Sequence, residues 1–138
     1  MSVGLEVEAE RISSECGVPV DIQLSEGRSF DGVDTAFAVV TVLAAGVGGG
    51  ILSALGGDVW TRIKRLVSRA KEAEYQCTVV VVRRIGDAEV RFRCEVDGPE
   101  DVDRLVKALE NWHPAAAANA DEPIVLRLDA DNVWKPAG

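Results

Sequence analysis

Positions 36–57 read AFAVVTVLAAGVGGGILSALGG, twenty-two consecutive residues without a charge in a chain that is 28% charged. A run of that length is either buried or faces lipid. As one helix at ~1.5 Å per residue it would reach roughly 33 Å, enough to cross a bilayer core of ~30 Å. Trp60 stands just beyond the run, where an interfacial aromatic would sit. Arg62, Lys64, Arg65, Arg69 and Lys71 follow, in the sense of the positive-inside bias. Gly46 and Gly50, Ala44 and Gly48, and Ala45 and Gly49 are each four apart, a spacing of small residues that lets two helices approach closely. The alternative is a packed helix, or two short helices broken at Gly48, Gly49 and Gly50. Three glycines in a row cost a helix in water roughly 3 kcal/mol against alanine.

Strand patterning weighs against a span. Val3, Leu5 and Val7 alternate with Gly4, Glu6 and Glu8. Val18, Val20, Ile22 and Leu24 alternate with Pro19, Asp21 and Gln23. Both stretches read as half-buried strands, with a turn over 10–17 between them. Pro19 suits the first residues of a strand or an edge. A membrane crossing at 36–57 would separate these strands from those that follow, and an isolated two-stranded hairpin is marginal alone. The expectation is therefore that the uncharged block forms a helix packed on one sheet or against a second copy, opened by Asp34 as N-cap after a loop over 25–34. Insertion into a membrane is the alternative.

Beyond the block, 58–73 reads as a basic amphipathic helix. Val59, Ile63, Leu66, Val67 and Ala70 lie on one stripe, and Asp58 stands at the start. Residues 75–85 read as a strand whose Val79–Val82 run is apolar on both faces, as in a central strand covered on two sides. Gly86 and Asp87 suit a tight turn, and 88–96 alternate without a fault. Pro99, Glu100 and Asp101 open a helix with Val102, Leu105, Val106, Leu109 and Trp112 on one face, ended by Pro114. Ile124, Leu126 and Leu128 suggest a last short strand, within a region 113–138 that is otherwise linker and tail. The whole reads as a single α+β domain over 1–138. One mixed or antiparallel sheet of about five strands carries an apolar Gly-rich helix, a basic amphipathic helix and a C-terminal-half helix.

The net charge of −8 is unevenly distributed. Residues 1–35 carry −6, 36–57 nothing, 58–85 carry +4, and 86–138 carry −6. The acidic flanks argue against nucleic acid as a partner. The basic helix reads as a solvated face, as a contact for anionic headgroups, or as a contact for acids of a partner or of the same chain. The N-terminus has no basic start or apolar core of a leader, so the cytoplasm, with membrane association as the variant, is the expected location.

No catalytic, cofactor-binding or metal-binding set emerges. His113 is the only histidine, and it falls at a helix end beside Trp112 and Pro114. The glycine run lacks the GK[ST] of a phosphate loop. Asp129 and Asp131 lack an EF-hand pattern. Cys16, Cys77 and Cys94 have no CxxC spacing, and the latter two fall at strand positions as small buried apolar residues.

The stretch 34–109 resembles the effector-associated constant component family of small bacterial domains. The likeness lies in an Ala/Gly-rich apolar helix running into a tryptophan and a basic helix (Leu52, Leu55, Trp60, Arg62, Lys64, Arg65), a strand hairpin over 78–82 and 90–96, and a helix opened by Glu100, Asp101 and Val102 and running to Leu109. The chain departs from the family pattern in lacking a clear helix between its first two strands and in its extended tail after Trp112. What the resemblance implies is a non-enzymatic adaptor or regulatory component of a bacterial conflict or signalling system, partnering an effector such as a protease. The expected contact, with itself or a partner, runs through 44–55 and the basic helix. Its residues would be Ala45, Gly46, Gly49, Gly50, Trp60, Arg62, Lys64, Arg65 and Arg69. A membrane-inserting component is the second reading and a small enzyme the third.

Overall fold

A computed structural model describes residues 3–16, 18–28, 34–43, 51–85, 88–110 and 124–136. The chain is α+β. Among the described residues, three helices, α1 (Val3–Cys16), α2 (Ile51–Glu72) and α3 (Pro99–Glu110), accompany one sheet of six strands. The strands are β1 (Val20–Arg28), β2 (Asp34–Leu43), β3 (Tyr75–Ile85), β4 (Ala88–Val96), β5 (Ile124–Leu128) and β6 (Trp134–Pro136). They lie side by side in chain order. β2/β3 and β4/β5 are parallel and the other three pairs antiparallel.

Residues 3–16 are helical, not a strand followed by a turn. The alternation of Val3, Leu5 and Val7 coexists with a second pattern, Leu5, Ala9 and Ile12 at i, i+4 and i+7. That second set is buried, while Val7 is 44% exposed. Glu6, Glu8, Glu10 and Arg11 are good helix formers, and they favour the 3.6-residue period. Ser13 then ties the helix to the sheet edge: its hydroxyl lies 2.8 Å from both the amide N and the carbonyl O of Val20.

The uncharged block is not one helix. Its first eight residues belong to β2, which begins at Asp34, so Asp34 caps nothing. Val39, Val40, Thr41 and Val42 are β-branched and suit a pleated surface. Strand β1 also continues to Arg28, through the first part of the expected loop. Residues 44–50, including Ala45, Gly46, Gly49 and Gly50, lie outside the described residues. Helix α2 takes up the remainder of the block and continues unbroken through the basic stretch, so Asp58 lies inside a helix and not at its start. Among the described residues no helix is long and apolar enough to cross a membrane.

Strands β3 and β4 occupy the expected residues, with Ile85 opposite Ala88. Helix α3 starts at Pro99 as expected, and β5 matches the last short strand. β6 lies in what reads as tail. The Asp129 carboxylate organises the β5–β6 turn, accepting from the backbone N–H groups of Asp131 (2.9 Å) and Val133 (3.0 Å). Lys135 at 2.7 Å, with those N–H groups, holds this carboxyl below its ordinary range. Asn132 takes the left-handed position, φ 62°.

All three helices pack on the same face of the sheet. The core there gathers Leu5 and Ile12 of α1, Ile63, Leu66 and Val67 of α2, Val102 and Leu105 of α3, and the inward residues of the strands, including Val40, Val79, Val81 and Phe92. β2 and β4 run in opposite directions, yet both crossovers step the same way across the sheet. Two right-handed crossovers would then have placed α2 and α3 on opposite faces. With both on one face the two crossovers have opposite hands, and no described helix covers the second face.

Candidate functional site

The exposed face of the sheet is built from the alternate residues of each strand. Strand register sorts them into transverse rows. One row runs Asp21, Thr41, Val80, Arg93, Arg127, Lys135. The row on one side runs Leu43, Val82, Arg91, Val125, and on the other Gln23, Val39, Thr78, Glu95. A further row holds Ser25, Phe37 and Gln76. The middle of this face, on β2 and β3, is apolar: Phe37 is 40% and Leu43 41% exposed, and Val39 and Val80 are half-buried. Val82 is buried yet stands outside the main core. A groove of about 670 Å³ lies over β1–β3, bordered by Asp21 on one side and Arg91 on the other.

Charge on this face is polarised across the strands. β1 offers Asp21. Arg93 and Arg127 sit cross-strand from one another in the same row, both exposed. Like charges directly opposite are unfavourable. Lys135 completes the row but is engaged by Asp129, and Arg91 pairs with its own neighbour Glu89 at 3.2 Å. Among the described residues neither Arg93 nor Arg127 has an ion-pair partner.

Of the interaction residues expected from the sequence, Ala45, Gly46, Gly49 and Gly50 lie outside the described residues, and Trp60, Arg62, Lys64, Arg65 and Arg69 lie on α2, away from this face. Trp60 is in the core, 6% exposed, and its Nε1 has no hydrogen-bond partner among the described residues. The cations of α2 meet the acids of the same chain. Arg62 pairs with Glu15 and Arg69 with Glu8 (3.8 Å), both on α1; Lys64 pairs with Asp103 of α3 (2.5 Å). Lys71 lies 3.9 Å from Asp97 in the turn before α3. α2 packs between α1 and α3, which is why a basic helix takes acidic neighbours on both flanks. Arg65 is exposed on the same helix.

Cys77 and Cys94 are buried free thiols on the adjacent central strands β3 and β4. Burial pushes Cys77 up to about 11, against a smaller lowering by Lys71. Burial likewise raises Cys94, outweighing the Arg104 guanidinium 3.8 Å from its sulfur. Both are held away from the thiolate form that a nucleophile needs. No group of three metal-ligating side chains occurs among the described residues. His113 and Trp112 lie outside the described residues.

The exposed face was partly readable beforehand. Arg91, Arg93 and Glu95 alternate as a wet face in the sequence, but Phe37, Val39 and Leu43 vanish into the uncharged block unless that block is divided by a period of two. No protein-family model, curated protein or solved structure matches the chain.

Proposed function

We propose that this protein is a non-catalytic interaction module, an adaptor or regulatory component that works by seating a protein surface on its exposed sheet face. The observation that supports this is the apolar stripe Phe37, Val39, Leu43 and Val80 on a face that no described helix covers. Large apolar side chains gathered on a surface and bordered by charge mark contact sites. The basic helix is a weaker candidate, because Arg62, Lys64 and Arg69 already have carboxylate partners within the fold. The family resemblance points the same module towards a bacterial effector system.

A photo-crosslinking amino acid at position 37 tests this. Benzoylphenylalanine there is close in shape to Phe37, so the fold is kept. Irradiation in the native host is expected to give a discrete adduct, with itself or with another protein, that the same probe at exposed Glu72 does not give. Absence of an adduct at position 37 overturns the proposal.

A further inference from the structure

We infer that the occupant of the exposed face is a second copy of this chain, docked face to face about a two-fold axis parallel to the strands. The axis passes between β2 and β3, so that Asp21 of each copy meets Arg93 of the partner subunit. This rests on the reading of that face as a docking surface and specifies what docks.

The inference comes from the row Asp21, Thr41, Val80, Arg93, which register fixes across β1 to β4. A two-fold between stacked sheets can lie across the strands or along them. Across the strands, β1 falls on β1 and β4 on β4. Asp21 then approaches its own copy, and Arg93 approaches Arg93 of the partner subunit. Along the strands, the order is reversed: β1 falls on β4 and β2 on β3. Asp21 then faces a cation, Gln23 faces the carboxylate of the partner's Glu95, Val39 faces the partner's Thr78, and Val80 faces the partner's Thr41. Arg91 keeps its own Glu89. Every charge in the overlap thus finds an opposite or neutral polar neighbour, and the apolar side chains of β2 and β3 are covered by the same two strands of the second copy. Stacked sheets lie ~10 Å apart, a gap that an arginine and an aspartate reaching towards each other can bridge.

The size of the overlap sets the strength. Four strands ~4.8 Å apart and nine residues of ~3.3 Å long cover roughly 570 Å² per copy in projection. Two such patches total about 1,100 Å², at the lower limit for a specific interface. The expected dimer is in the micromolar range, strengthened at low salt by the charge pairs.

Sedimentation equilibrium of the full chain over roughly 1–500 μM, at low salt, reads this directly. Wild-type protein is expected to pass from monomer to dimer. Asp21→Arg and Arg93→Asp each weaken dimerisation at least about tenfold, because each creates two like-charge contacts per dimer. The two changes move the net charge by two units in opposite directions, so a shared loss reports the contact and not the total charge. The double variant Asp21→Arg/Arg93→Asp restores the affinity to within about threefold, since it re-creates the pair with its signs exchanged. Unchanged melting temperatures show that both exposed sites leave the fold intact. A dimer that the double variant does not restore overturns the inference. So does a wild-type chain that stays monomeric throughout. If that monomer still gives an adduct to another protein from position 37, the second copy is refuted while the docking face stands. If no adduct forms, both fail.

Discussion

Replacing Trp134 tests whether the last strand belongs to the fold. Its ring meets Phe92 edge to face at 5.0 Å, and its Nε1–H donates to the Ala108 carbonyl at 3.0 Å. Ala108 lies within the last four residues of α3, whose carbonyls have no partner inside the helix. It is also buried, 5% exposed, so water is a poor substitute. Trp134→Phe keeps an aromatic on Phe92 and removes only the N–H, leaving that carbonyl unpaired at a cost of about 1–2 kcal/mol. Trp134→Ala removes the ring contact and its apolar burial as well. The side chain is only half-buried, so the total is about 3 kcal/mol, below the upper range for a fully enclosed tryptophan. Urea unfolding followed by far-ultraviolet circular dichroism measures both. For a domain of this length the phenylalanine variant should melt about 3–7 °C lower. A phenylalanine variant within about 0.3 kcal/mol of wild type would refute the capping role of the indole. An alanine variant no worse than the phenylalanine one would refute the packing of β6 on Phe92.

Three further outcomes follow from named contacts. Ser13→Ala removes the hydroxyl that bridges α1 to both backbone groups of Val20, and should cost about 1 kcal/mol in the same assay, with faster amide exchange at Val20. Glu74 holds a left-handed conformation, φ 66°, just past the end of α2, so Glu74→Gly should raise stability by about 1 kcal/mol; a lower melting temperature would show that the side chain matters more than the backbone. Cys77 is neutral in the fold up to about pH 11, whereas an exposed thiol ionises near 9. The unfolded chain therefore binds fewer protons between these values, and stability should fall as pH rises from 9 to about 11, less so in Cys77→Ala.

Sequence legibility followed the degeneracy of the pattern. β4 was readable to the residue because Val90, Phe92, Cys94 and Val96 alternate with charged residues, leaving one period only. α3 was readable because Pro99, Glu100 and Asp101 mark its start chemically. The first helix was not, since Val3, Leu5 and Val7 fit a period of two while Leu5, Ala9 and Ile12 fit 3.6, and only packing chose between them. The uncharged block defeated the reading for a different reason. Missing charge reports burial, not geometry, and a buried strand followed by a buried helix leaves the same blank as one long helix. β6 has three residues, too few to show a period, and its contacts through Trp134 and Lys135 leave no pattern along the sequence. The candidate face inherits both problems: its charged border was visible and its apolar centre was not.

The charge order along the chain, acidic, neutral, basic, acidic, finds its cause in this layering. Among the described helices α2 is the central one and carries the cations; α1, with Glu8 and Glu15, lies on one flank, and Asp97 in the turn before α3 and Asp103 of α3 lie on the other. Each such pair is at least partly exposed, and surface pairs contribute little individually, on the order of 0–1 kcal/mol. Their collective effect is on arrangement. Any helix order that set α1 against α3 would bring acid against acid, so the pattern selects against it. The covered side of the sheet thereby uses up most of the basic block. Arg93 and Arg127, which have no ion-pair partner among the described residues, stand on the opposite face, next to a stretch of apolar surface that no described helix covers. That residue of unmatched charge beside unmatched apolar area is what an interaction surface requires and a self-sufficient fold does not.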